Sequence, residues 1–109
     1  MLNRHTIASL AAQADGPVTI GGWVETLRDQ KRIQFIIIRD ETGSVQVTYP
    51  RPADEDALAD QVSSLSNGSF VEITGNLKHD ERVKLGGIEI LLTGMKIVSL
   101  ANPDSPIAD

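Results

Sequence analysis

A chain of 109 residues, 40 % hydrophobic and with a formal net charge of −5, has the length of one domain and room for one modest core. It has no cysteine and only two histidines, which excludes disulfide scaffolds, thiol nucleophiles and cysteine zinc sites, and His5 and His79 are too few and too far apart to suggest a metal site. The longest apolar run, Phe35–Ile38, falls far short of the ~18 residues of a membrane span, and no signal peptide is visible behind Arg4; a soluble cytoplasmic domain with no membrane partner is expected.

Residues 6–14 are alanine-rich, with Ile7, Leu10 and Ala11 at helical spacing and Thr6 placed to cap the start. Asp15-Gly16-Pro17 ends that helix. Residues 18–27 then alternate, Val18, Ile20, Gly22 and Val24 against Thr19, Gly21, Trp23 and Glu25. Two adjacent glycines inside a strand predict a sharp bend or a close backbone approach. Residues 28–32 read as a charged turn. The β-branched run at 33–39 is the second strand, and Asp40–Gly43 is a hairpin signal. In residues 44–49, Val45 and Val47 share one face, Gln46 and Thr48 the other. Asp54 is the expected N-cap of the next helix, where Leu58, Val62 and Leu65 recur at i, i+4 and i+7 before Asn67-Gly68. Residues 69–78 and 88–98 form two more strands around a charged, glycine-closed loop at 79–87. The tail from Asn102 to Asp109 has two prolines and no pattern, so it reads as a linker beyond a domain of residues 1–101.

An N-terminal helix, three strands, a helix and two strands match an all-β fold, the five-stranded Greek-key OB barrel with its helix between strands 3 and 4. That fold binds oligonucleotides or oligosaccharides on strands 2 and 3, with help from the loops joining strands 1–2 and 4–5. Both loops are basic here: Arg28, Lys31 and Arg32 in the first, Arg82 and Lys84 in the second. The stretch 52–72 carries five acids and no Lys or Arg, so charge is segregated along an acidic chain. No nucleophile–base constellation stands out; Asp29, Asp40 and the acids at 54–56 fit turn and cap roles. Candidate binding residues follow from the strand pattern. Phe35 suits stacking on an unpaired base, although the run IQFIIIR leaves its face open, inside or out. Gln46 lies opposite Val45 and Val47, with its amide free for a base edge. Glu89 suits an amino group such as that of cytosine, or simply faces water.

Three segments, GGWVETLRD (21–29), IQFIIIRDETGSVQV (33–47) and GGIEILLTGMKIV (86–98), together resemble the N-terminal OB anticodon-binding domain of class IIb aspartyl-tRNA synthetases, in the archaeal, non-discriminating Asp/Asn style. The opening Asn-Arg-His-Thr and the closing Ala-Asn-Pro-Asp-Ser-Pro also sit where that family begins and leaves its domain. The resemblance implies that Phe35 stacks on an anticodon base, Gln46 pairs with the central uridine, Arg28 contacts the loop and Glu89 reads a third-position cytosine. It also implies that Arg82 and Lys84 lie near the wobble base, that Arg39-Asp40 is a structural turn, and that Trp23 is structural. Glu25 stands where discriminating archaeal enzymes resemble each other in having an aromatic, and the loop Arg-Asp-Gln-Lys-Arg departs from the more familiar Arg-Asp-Leu-Gly-Gly, which leaves aspartate tRNA alone, or asparagine tRNA as well, as the partner. ATP and magnesium belong to a catalytic domain whose motifs are absent from these residues, so the chain alone is expected to need no cofactor and to be non-catalytic. It is either an excised domain, with that catalytic domain in cis, or a free-standing paralogue. The competing readings are an unselective single-strand-binding OB protein and a protein-interaction module.

Overall fold

The computed structural model describes residues 4–100; the linker predicted for 102–109 lies outside them. Five strands, β1 (Gly16–Asp29), β2 (Ile33–Asp40), β3 (Gly43–Pro50), β4 (Phe70–His79) and β5 (Ile88–Ser99), close into one barrel in the order β1-β2-β3-β5-β4. All neighbours are antiparallel except β3 and β5, whose short parallel pairing closes the barrel. Closure leaves no long free edge.

β1 serves two ladders. Gly16–Trp23 pairs with β4 and Trp23–Asp29 with β2, and within the β1–β2 ladder the register shifts at Glu25, between Val24 and Thr26. The bend depends on Gly22. A Cβ there would stand 2.6 Å from the Arg39 carbonyl oxygen and 2.7 Å from the Ile38 side chain, so only glycine lets β2 come this close. The predicted close approach is present.

Alternation then fills the inside. Val18, Ile20 and Val24 from β1 meet Ile36, Ile38, Val45, Val47, Val71, Ile73, Leu77, Ile88, Ile90 and Leu92 from the other strands, all buried. Each fully buried aliphatic side chain contributes ~1.5–3 kcal/mol relative to exposure. Helix α1 (Ala57–Ser63) and the residues after it add Val62 and Leu65 to this core, while Ile7 and Leu10 add to it from the N-terminal segment.

The helix predicted between strands 3 and 4 is present, but its cap, and the N-terminal helix, need correction. α1 is capped by Asp56, not Asp54: the Asp56 carboxylate accepts from the Ala59 backbone at 2.9 Å and from the Tyr49 hydroxyl at 2.6 Å. The hydroxyl of a neighbouring strand selects the cap. At the N-terminus, the predicted helix is a five-residue 3-10 turn, Ala8–Ala12, with no side-chain cap of its own. Asp40 accepts from the Ile7 N–H and Thr42 from the Ala8 N–H, both at 2.9 Å. The β2–β3 hairpin therefore satisfies the donors that Thr6 was expected to serve. Burial pushes the Asp40 carboxyl up, but its bonds from Thr42, Ile7 and Gly43 prevail and hold it below its ordinary range.

Candidate nucleic-acid interface

Two transverse rows of side chains cross the outside of the barrel, because residues paired across a ladder share a face. One row runs Arg28, Phe35, Thr48, Leu91; the next runs Thr26, Ile37, Gln46, Glu89, Lys78. The register resolves the parity of IQFIIIR. Gln34, Ile36 and Ile38 point inward, and Phe35 and Ile37 are half-buried on the outer face. Arg28 is a strand residue opposite Phe35 rather than part of the turn, a correction that puts both residues on the wall of one groove. Thr26, Arg28, Phe35, Ile37 and Gln46 line an open groove of about 330 Å³.

At the end of that groove three polar groups meet. The Thr48 hydroxyl donates to Glu89 Oε2 at 3.0 Å, while Gln46 Nε2 makes two long contacts, 3.4 Å to Thr48 Oγ1 and 3.4 Å to Glu89 Oε2. Long hydrogen bonds are weak, so the Gln46 amide turns readily towards a ligand. Thr48 holds one carboxylate oxygen of Glu89 and leaves the other to accept from outside. Thr48 was not singled out from the sequence, yet its shared parity with Gln46 was the signal.

The β4–β5 loop leads into Glu89. The Arg82 guanidinium is fastened to Asp80 by two bonds of 3.1 Å, and its side chain is 87 % exposed. The hydrogen bond to Asp80 raises the Arg82 pKa, with a further favourable effect of the Glu89 charge, and the same bond lowers that of Asp80. Lys84 is exposed on this loop. Lys31 stands apart from the groove: it is exposed on the β1–β2 turn and lines a separate depression with Arg51 and Asp56. Thus Arg28, Phe35, Gln46 and Glu89 come together, Arg82 and Lys84 flank them on one loop, and Lys31 does not line the groove. Trp23, expected to be structural, is 45 % exposed and packs edge-on against Phe70 at 4.9 Å between ring centroids.

Residues 18–98 match the model of the OB-fold nucleic acid binding domain. The chain belongs to that family. More narrowly, it is an anticodon-binding OB domain that matches the N-terminal region of archaeal aspartate–tRNA(Asp/Asn) ligases. It is 34 % identical over 86 residues to the aspartate–tRNA(Asp/Asn) ligase of Methanospirillum hungatei, covering 79 % of this chain and 20 % of that protein. With the Methanopyrus kandleri ligase it shares 29 % identity over 108 residues, 98 % of this chain and 25 % of the ligase. Among solved structures, asparaginyl-tRNA synthetase from Pyrococcus horikoshii superposes with a TM-score of 0.82 at 26 % identity, over 93 % of this chain and 23 % of the synthetase. An OBody bound to hen egg-white lysozyme gives 0.79 at 25 % identity, over 93 % of this chain and 98 % of the OBody. The OB domain spans a fifth to a quarter of the length of these ligases.

Proposed function

We propose that this domain reads the anticodon loop of aspartate tRNA, and of asparagine tRNA where the third base is not discriminated, by stacking a base on Phe35 and hydrogen-bonding its neighbours through Gln46 and Glu89. The observation that carries this reading is the pair of adjacent rows. A half-exposed aromatic ring, a loosely held amide and a carboxylate with a spare oxygen stand side by side on one face of the barrel. Stacking contributes ~1–3 kcal/mol per base and tolerates any base; selectivity comes from the amide and the carboxylate. A carboxylate accepts from the amino group of cytosine and repels the carbonyl of uracil at the same place. Arg28, Arg82 and Lys84 supply phosphate contacts without sequence information.

Aminoacylation, ATP and magnesium belong, on this reading, to a catalytic domain like that of the longer relatives, and the setting is the cytoplasm. The test is fluorescence anisotropy with two labelled RNA hairpins, one carrying the guanosine-uridine-cytidine anticodon, the other with the central and third bases changed. A clear preference for the first, with affinity falling as salt rises, is the expected result. Equal binding of both would leave an unselective single-strand binder, and no binding would remove the RNA reading.

A further inference from the structure

The outer face used by the groove does not stop at Ile37. Outward-pointing residues of β2 continue from Phe35 and Ile37 to Arg39, which is exposed and pairs across the β1–β2 ladder with Trp23. Arg39 lies two strand residues, ~7 Å, beyond Ile37. Trp23 is the single tryptophan of the chain and contributes nothing to the buried core; its neighbours Gly22 and Val24 point inward instead. Phe70, its partner on β4, braces the indole edge-on. Beside it opens a depression of about 460 Å³ lined by Trp23, Glu25, Arg39 and Gly68. Among the described residues Arg39 makes no ion pair, whereas Arg4, Arg51 and Arg82 each do. A braced, half-exposed indole next to an uncommitted guanidinium suits the face of a base together with its phosphate.

We propose that Trp23 and Arg39 form a second nucleotide seat, taking an unpaired RNA base that flanks those held at Phe35, Gln46 and Glu89. The seat rests on the anticodon-loop reading and lengthens it. It is continuous with the groove along β2, and Phe35 to Arg39 is ~13 Å of strand, within the several-nucleotide footprint of an OB fold. The indole takes the base by stacking, so the seat adds affinity without base preference. Arg39 takes the phosphate. Glu25, exposed in the same depression, repels phosphate and leaves it to the Arg39 side.

The single tryptophan makes the test direct. The full chain is titrated with the guanosine-uridine-cytidine hairpin while RNA anisotropy and protein emission are followed together. Quenching in step with the anisotropy is expected. A hairpin with abasic residues flanking the triplet should lose most of the quenching and bind about fivefold more weakly, with its preference for the triplet intact. Trp23→Ala should lose about five- to tenfold in affinity for the intact hairpin, and Trp23→Phe less. Selective binding with unchanged emission, or unchanged affinity for the abasic hairpin, overturns the seat but not the groove. Binding absent from both signals removes the anticodon-loop reading itself. An emission shift that follows protein concentration without RNA assigns the patch to a second copy and also overturns the proposal. The abasic hairpins decide the matter on the unmodified protein, should Trp23→Ala fail to fold.

Discussion

Two glutamines on neighbouring strands have opposite fates. Gln34 on β2 is fully buried at the α1 end of the barrel, and the two N–H groups of its Nε2 are shared among three acceptors, Asp29 Oδ1 at 3.1 Å, the Ala59 carbonyl at 3.0 Å and Ser63 Oγ at 3.1 Å. Gln46 on β3 is half-buried in the groove, with nothing nearer than 3.4 Å. The first amide is spent on holding α1 to the β1–β2 end; Arg51 and Ser63 complete the node through Asp29, whose carboxyl is held below its ordinary range first by the bond from Ser63. The second amide is held only by long contacts and, on the proposed reading, is the one a ligand would engage. What separates the two is how their Nε2 groups are held: that of Gln34 is bonded at about 3 Å inside the node, although its own Oε1 is buried without a partner among the described residues, whereas that of Gln46 makes only long contacts.

The largest effect that would sharpen the contrast is Gln34→Ala. It removes the Nε2 hydrogen bonds that tie a buried node together and should cost about 2–3 kcal/mol, lowering Tm by roughly 10 °C or more. Such a variant, refolded at low temperature, should keep the same ratio of affinities for the two hairpins. Unchanged thermal stability would break the comparison. Phe35→Ala is the counterpart: a half-exposed ring is removed, so hairpin binding should weaken by about 1–3 kcal/mol while circular dichroism and Tm stay close to the parent. A collapse of Tm instead would return Phe35 to the core.

Thr48 sits between these extremes, nearly buried yet bonded to Glu89. Thr48→Val should lower the hairpin preference by about threefold, through the loss of roughly 0.5–1.5 kcal/mol of orientation, whereas Thr48→Ser should restore it. Equal loss in both variants would make the residue a packing element only.

The smallest effect concerns the seam between β4 and the N-terminal turn. His79 Nδ1 donates to Asp15 Oδ1 at 2.5 Å, and Nε2 lies 3.4 Å from the Ala11 carbonyl. The bond to Asp15, then that to Ala11, raises the His79 pKa, while the same His79 bond lowers that of Asp15. A raised histidine pKa contributes stability that is full below the ordinary value near 6.5 and fades as pH rises through the raised value. A lowered aspartate pKa contributes stability present above 3.8 and lost as pH falls through the lowered value. Tm should therefore be highest between these limits and decline slightly above neutrality. His79→Gln should flatten that decline, because glutamine does not titrate, and the effect is small because both groups are exposed.

The barrel was legible because strands announce themselves through a period of two, and all five predicted strands are present within a few residues of their predicted bounds. Gln46 and Glu89 were legible for the same reason. IQFIIIR was not, because this strand carries apolar residues on its outer face as well, and Phe35 and Ile37 in the groove erase the alternation. The helical segments misled for a different reason. Their ends are chosen by distant partners: Tyr49 bonds the cap Asp56, and Asp40 with Thr42 takes the donors of the N-terminal turn. The exposure of Trp23, which the resemblance implied to be structural, was not legible either, because its place in an alternating strand does not say whether a neighbouring element covers it.

By itself, then, the sequence determined the number and order of the strands, the glycine-dependent bend, the basic loops and the family resemblance, since periodicity and turn chemistry are local. Only the tertiary structure decided which face of β2 meets water, which glutamine is already bonded, that Thr48 orients Glu89, and that Trp23 stands uncovered beside Arg39. Those are matters of register and of what lies across a ladder, and they arise between segments far apart in the chain.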